Sequence, residues 1–336
     1  MNKKLISIIL VILLAGAAYW LVNSHMDSLR NDGTIDETPQ DNSIDIIEDK
    51  PQQNNDNTPA NSDSTGENDN LTDNTTDNSP EQGVKSYVNE EGMTIGERYS
   101  VPEGYTRSKV DEGSFGEFLR NQKLKKYGEK VLYYDGREKP SQGVYDSVLD
   151  VDIGDRDLHQ CADAVMLLRA EYLYQNGRYE DIAFNFVTGF KAEYKKWMDG
   201  YRIKIQGNKA SYYKAGSPSN TYSSFRKYMD IVMAYSSTLS LDKELKSVPV
   251  SDIQIGDVFI KGGSPGHAII VVDMAENQEG DKIFLLAQSY MPAQQTQILI
   301  NPMDKSISPW YSLKDKDILI TPQWRFELDQ LKRFAD

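Results

Sequence analysis

An α+β domain is the fold class this sequence predicts, and three observations carry that prediction. Apolar residues recur at helical spacing over residues 157–175 and 223–241. The last third instead alternates short apolar runs with turn residues, the pattern of antiparallel strands. Within it, His267-Ala268-Ile269-Ile270-Val271-Val272 is apolar on both parities, so this strand is expected to be covered on both faces.

The domain is expected to occupy residues 84–336, because what precedes it has a different composition. Lys3 and Lys4 stand before an uncharged, mostly apolar run over 5–22, at the lower edge of what spans a bilayer. The lysines belong on the cytoplasmic side, which places the rest of the chain outside the membrane. Trp20-Leu21-Val22 is a poor cleavage context, so 1–26 reads as a retained anchor rather than a cleaved signal, whose removal would make the protein secreted. No cysteine follows Leu14-Ala15-Gly16, which excludes lipoprotein attachment. Residues 27–83 hold 15 acidic against two basic side chains and almost no aromatics. Such a segment cannot bury enough apolar surface to offset chain entropy and reads as a disordered spacer. It carries nearly all of the chain's net charge of −14, so 84–336 is close to neutral. A near-neutral domain gives no electrostatic case for a nucleic-acid partner.

In chain order, 99–105 reads as an extended segment with a turn at Pro102, and 114–122 as a short helix with Phe115, Phe118 and Leu119 on one face. Residues 131–134 and 144–151 read as strands. Asp157 with Gln160 three residues on makes a capping-box pattern, predicting a helix from there to Gln175, stopped by Asn176-Gly177. Residues 182–199 and 223–241 are predicted as aromatic-rich helices separated by a polar loop over 206–220. Strands are predicted over 257–260, 267–274, 282–288, 297–300 and 318–320, with a hairpin turn at 275–281.

The chain holds one cysteine and three histidines. One cysteine excludes an intrachain disulfide and raises the question of what the thiol is for. On the predicted register Cys161 lies in the first helical turn, where backbone N–H groups and the helix dipole favour a thiolate. Cysteine acyl chemistry needs an imidazole beside the thiol and a polar group to orient that imidazole. His267, opening the buried strand, and Gln288, ending the next one, supply both if the two strands pair. Gln160, Asp163 and Ser289 are secondary polar candidates; Asp163 opposes thiolate formation if its carboxylate faces the sulfur. His159 reads as a surface or capping-turn residue, and H-x-C is a weak metal pattern, so no metal or cofactor is expected. Tyr290, Trp310 and Tyr311 are candidate aromatic contacts for a ligand, with Tyr290 on a polar loop suited to a rim.

These residues resemble the papain-related cell-wall hydrolases of the NlpC and CHAP families, in which a cysteine at a helix start precedes a small antiparallel sheet. The likeness is carried by Gly256-Asp257, Gly266-His267-Ala268 and Cys161, although the nucleophile context here reads Gln160-Cys161-Ala162-Asp163. It implies a papain-like core with extra helices inserted, Cys161 as nucleophile, His267 as base and Gln288 as third member. A second resemblance is to the bacterial domain of unknown function 4846, on residues 157–173, 256–275, 285–294 and 309–311. That family implies no activity.

Two functions follow as expectations. The first is a membrane-tethered, extracytoplasmic thiol peptidase or amidase acting on cell-wall peptide. The second is a non-catalytic module on the same scaffold that binds wall peptide or glycan. A structural domain in an envelope assembly is a third.

Overall fold

The computed structural model describes residues 86–140 and 143–335. The predicted anchor at 5–22 and the acidic spacer at 27–83 lie outside them. Among the described residues no helix is long and apolar enough to cross a membrane. The first half contributes α1 (Ile95–Arg98), β1 (Tyr105–Arg107), α2 (Phe115–Arg120), β2 (Tyr145–Val148) and α3 (Cys161–Gln175). Two short hairpins follow, β3 (Ala183–Asn185) with β4 (Lys191–Glu193), then β5 (Tyr201–Gln206) with β6 (Lys209–Lys214), with α4 (Tyr194–Met198) between them. Next come α5 (Tyr222–Tyr235), α6 (Thr238–Glu244), β7 (Lys246–Ser247), β8 (Val258–Lys261), β9 (His267–Asn277), β10 (Lys282–Gln288) and β11 (Gln297–Leu299). The C-terminal part adds β12 (Tyr311–Ser312), β13 (Ile318–Ile320), β14 (Arg325–Glu327) and β15 (Leu331–Arg333). The architecture is mixed α+β and its strand pairs are antiparallel.

The main sheet has nine strands in the order β2-β11-β10-β9-β8-β15-β7, with β1 added to β9 and β12 to β10. Its centre is the β9–β10 hairpin, whose register runs from Lys282 opposite Glu276 to Ala287 opposite Ile270, with an irregularity between Leu285 and Leu286. Each long strand takes different neighbours at its two ends. β1 and β12 cover the turn end, at Ala275–Asn277 and Ile283–Phe284, while β8 and β11 cover the open end, at His267–Ile270 and Ala287–Gln288. His267 and Gln288 therefore sit together at the open end of the hairpin.

The two-parity apolar pattern of β9 is explained by two cores. Ala268, Ile270 and Val272 face α3, packing with Val165, Met166 and Leu168, and with Val258, Ile260, Leu285 and Ala287 from neighbouring strands. Ile269 and Val271 face the other way, with Phe259, Phe284, Leu286, Tyr311, Leu319 and Phe326. A strand buried on both sides cannot slip by one residue without moving polar groups into one of these cores, which pins its register. Close backbone approach also shapes its start: a Cβ on Gly266 would lie 2.5 Å from both the Gly263 carbonyl oxygen and the Thr238 hydroxyl. Only glycine fits that turn.

Several predicted elements are corrected. Residues 182–199 are not one helix but the β3–β4 hairpin and the single-turn α4. Phe184 and Ala192 are buried opposite one another in that hairpin, which turns through Gly189 at φ 85°. The predicted loop over 206–220 contains most of the β5–β6 hairpin. Residues 223–241 divide into α5 and α6, because Ser237 caps the second helix through the N–H of Leu239. The predicted strand at 131–134 forms only isolated bridges, Leu132 to Glu138 and Tyr133 to Gln294. The sheet is also larger than the small one expected from the sequence.

Candidate active site at the open end of the central hairpin

Cys161 is the first residue of α3, and Gln160 is its N-cap. The helix thus starts later than the Asp157 cap predicted. Asp157 binds Gln160 all the same: the Gln160 side-chain amide donates to Asp157 Oδ1 at 3.0 Å, and Ala293 N–H donates to the same oxygen at 2.7 Å. This pair fastens the loop before the helix to the segment after β10. Asp163 acts as the cap partner from inside the helix, accepting from the Gln160 backbone N–H at 3.1 Å. Helix α3 packs on β9, and the backbone N–H of Ala268 acts on the Cys161 sulfur together with those of Cys161 and Ala162.

His267 is 1% exposed. Its Nε2 lies 2.8 Å from Gln288 Oε1. Strand alternation turns the ring to the face of Phe326, and it packs against Trp324 at 5.2 Å and Tyr290 at 4.8 Å between ring centroids. Gln288 continues the chain of polar contacts: its Nε2 donates to Gln323 Oε1 at 2.8 Å, and the Lys139 ammonium donates to that same oxygen at 3.0 Å. Tyr290 lies tilted against the His267 ring, and burial, with the charge of an ionised Cys161 as the lesser cause, pushes its phenol pKa upward. The two groups thus flank the start of β9 from different sides: Cys161 opens the helix that packs on the Ala268 face, and the His267 ring lies on the Phe326 face. No hydrogen bond joins thiol to imidazole among the described residues; the sulfur is reached by the amide of residue 268, not by the ring.

The electrostatics correct the expectation of a resting thiolate. Burial pushes the Cys161 thiol up to about 11, with the Asp163 carboxylate the next cause, and these outweigh the three amides that favour the anion. Burial also brings His267 down to about 4, with the Lys139 charge adding to it and the Gln288 bond opposing it. At neutral pH the resting pair is thiol and neutral imidazole. Since only the thiolate alkylates, the rate at Cys161 should climb about tenfold per pH unit up to about 11. Asp163→Asn removes the like charge while its side-chain oxygen can still cap Gln160, so the profile should move to lower pH. Iodoacetamide labelling across a pH series reads this, and an unmoved profile would show that the Asp163 charge does not reach the sulfur.

The remaining sequence candidates divide. Ser289 is fully buried, and its hydroxyl donates to the carbonyls of His159 and Gln294, so it ties loops together and does not face a ligand. Trp310 and Tyr311 are core residues, not contacts on a rim. The Trp310 indole N–H donates to the Ser100 carbonyl at 2.9 Å, the Tyr311 hydroxyl donates to that of Ile300, and both lie toward the turn end of the hairpin. His159 is buried, not superficial; its Nε2 pairs with Thr296 Oγ1 at 2.9 Å, and burial lowers its pKa to about 3. No group of three or more His, Cys, Asp or Glu is placed to hold a metal ion among the described residues. Sequence reasoning missed Lys139, Gln323 and Trp324. None lies in a recognisable pattern; a loop and the turn of the separate β13–β14 hairpin, packed against the sheet, bring them to His267.

A family model described as domain of unknown function (4846) matches residues 95–333. The chain belongs to that family. The family's matched span runs from α1 to the last strand and contains Cys161, His267, Gln288, Lys139 and Gln323. Comparisons with curated proteins and with solved structures return no match.

Proposed function

We propose that this protein is a thiol-dependent hydrolase of amide bonds in cell-wall peptide, with Cys161 as nucleophile, His267 as base and Gln288 as the group that orients the imidazole. One observation carries the reading. An imidazole held by a buried glutamine lies at the start of the strand whose second amide reaches a lone cysteine at a helix N-terminus. The likeness to a papain-related core of the NlpC and CHAP kind belongs to the same proposal. So do the extracytoplasmic, membrane-tethered location and the wall-peptide substrate, which rest on residues 1–83.

Because the resting thiol is neutral, the proton leaves as the nucleophile attacks. The His267 ring must approach the sulfur and take its proton while the S–C bond forms at the amide carbonyl. The N–H groups of Cys161 and Ala162 are the nearest donors for the oxyanion. Collapse breaks the C–N bond, and the imidazolium protonates the departing amine. A water molecule, deprotonated by the imidazole, then hydrolyses the thioester and regenerates the thiol.

The raised thiol pKa and the missing thiol–imidazole bond favour a second reading, a non-catalytic module that binds wall peptide or glycan near Tyr290. Incubating the full chain and its Cys161→Ala variant with peptidoglycan fragments separates the two. Loss of new amine termini in the variant supports the hydrolase. Equal affinity for the fragments with no turnover in either protein would sink it.

A further inference from the structure

The polar row behind His267 has a direction. An ammonium only donates hydrogen bonds, so the Gln323 atom facing Lys139 at 3.0 Å must be its oxygen. The same oxygen accepts from the Gln288 amide nitrogen at 2.8 Å. Gln288 must then present its own oxygen to the imidazole, and at 2.8 Å an oxygen can pair only with a protonated ring nitrogen. Nε2 therefore carries the hydrogen and Nδ1 keeps the lone pair. If Lys139 is taken away, both amides can rotate by a half turn and make equally good bonds with every polarity reversed. Gln288 would then donate to Nε2, and the proton would move to Nδ1. Three of the four groups are shielded from water, Lys139 at 6% exposed and Gln288 and His267 at 1% each, and only Gln323 is half-buried.

We propose that Lys139 is a positioning residue which holds the His267 proton on Nε2 through Gln323 and Gln288. The inference deepens the hydrolase reading, since only the ring with a free Nδ1 lone pair can take a proton there while Nε2 stays bound to Gln288. It explains why a lysine with no ion pair among the described residues is kept inside the domain. It also gives Gln323, far away in sequence, a defined part: an oxygen shared by two donors.

The test reads the tautomer directly and does not depend on turnover, so it can fail while the hydrolase reading stands, and the reverse. The full chain is labelled with 15N in its histidine rings, and the three imidazoles are assigned by replacing each histidine in turn. The wild type should show His267 as a single Nε2–H tautomer at neutral pH. Lys139→Met should bring in signals of the Nδ1–H form, whereas Lys139→Arg, still a pure donor, should leave the wild-type spectrum. In the double variant Lys139→Met with Gln323→Glu, the new carboxylate can only accept, so the Nε2–H form should return. A wild-type ring protonated on Nδ1 would overturn the proposal even if no variant folds. So would a Lys139→Met spectrum identical to wild type, or a double variant that stays mixed.

Discussion

Cys161→Ala is expected to abolish turnover of wall-peptide amides, by a factor on the order of 10⁵ to 10⁶, the scale seen when a covalent nucleophile is removed. Ser289, the nearest hydroxyl in sequence to the site, already donates to the carbonyls of His159 and Gln294. The fold should not suffer. Cys161 keeps part of its surface exposed even though its sulfur is desolvated, and it opens a helix that its neighbours cap, so losing one sulfur atom should cost about 1 kcal/mol. Similar melting temperatures with turnover lost is the supporting result. Turnover retained in the alanine variant would remove Cys161 from the chemistry.

Asp273→Ala should be the most damaging single change in the core, costing about 3–5 kcal/mol, as when one member of a buried ion pair is deleted. Asp273 is fully buried in β9, and two guanidiniums reach it, Arg120 at 2.7 Å and Arg107 at 3.0 Å. Burial outweighs both of them and holds its carboxyl above the ordinary value, which shows how much desolvation the pair has to offset. Removing the carboxylate leaves two largely buried positive charges facing each other across a cavity. Arg120 also donates to the Ser108 carbonyl and Arg107 to that of Gly96, so α2 and the segment before β1 should loosen with it. Denaturant unfolding measures the loss. A cost under about 1 kcal/mol would mean that water reaches both arginines in the variant and the pair is not buried in effect.

What the sequence showed best was whatever depends on near neighbours. The strands at β8, β9 and β10 were readable because apolar runs bounded by Gly and Asn need no distant information. The helix at Cys161 was readable because its apolar positions repeat. Its start was misplaced, because Asp157 and Gln160 do bind each other, but in the loop before the helix. The aromatic stretch 182–199 was misread as a helix for a related reason. Its rings serve a core shared with α3 and α5, and burial by partners distant in sequence overrode the local signal.

Composition and spacing alone determined that this is an α+β domain behind an acidic, apolar-poor segment, with one thiol at a helix start and one histidine opening a doubly covered strand. Tertiary structure decided what surrounds those two groups: Gln288 against the imidazole, Asp163 and burial acting against the thiolate, and Trp310 and Tyr311 sent to the core. The reason is physical. A pattern along the chain records which face of an element is apolar, whereas a side chain's charge and proton depend on neighbours set by strand pairing and burial. Lys139, 128 positions before His267, reaches it only because loops and a separate hairpin pack against the end of the sheet.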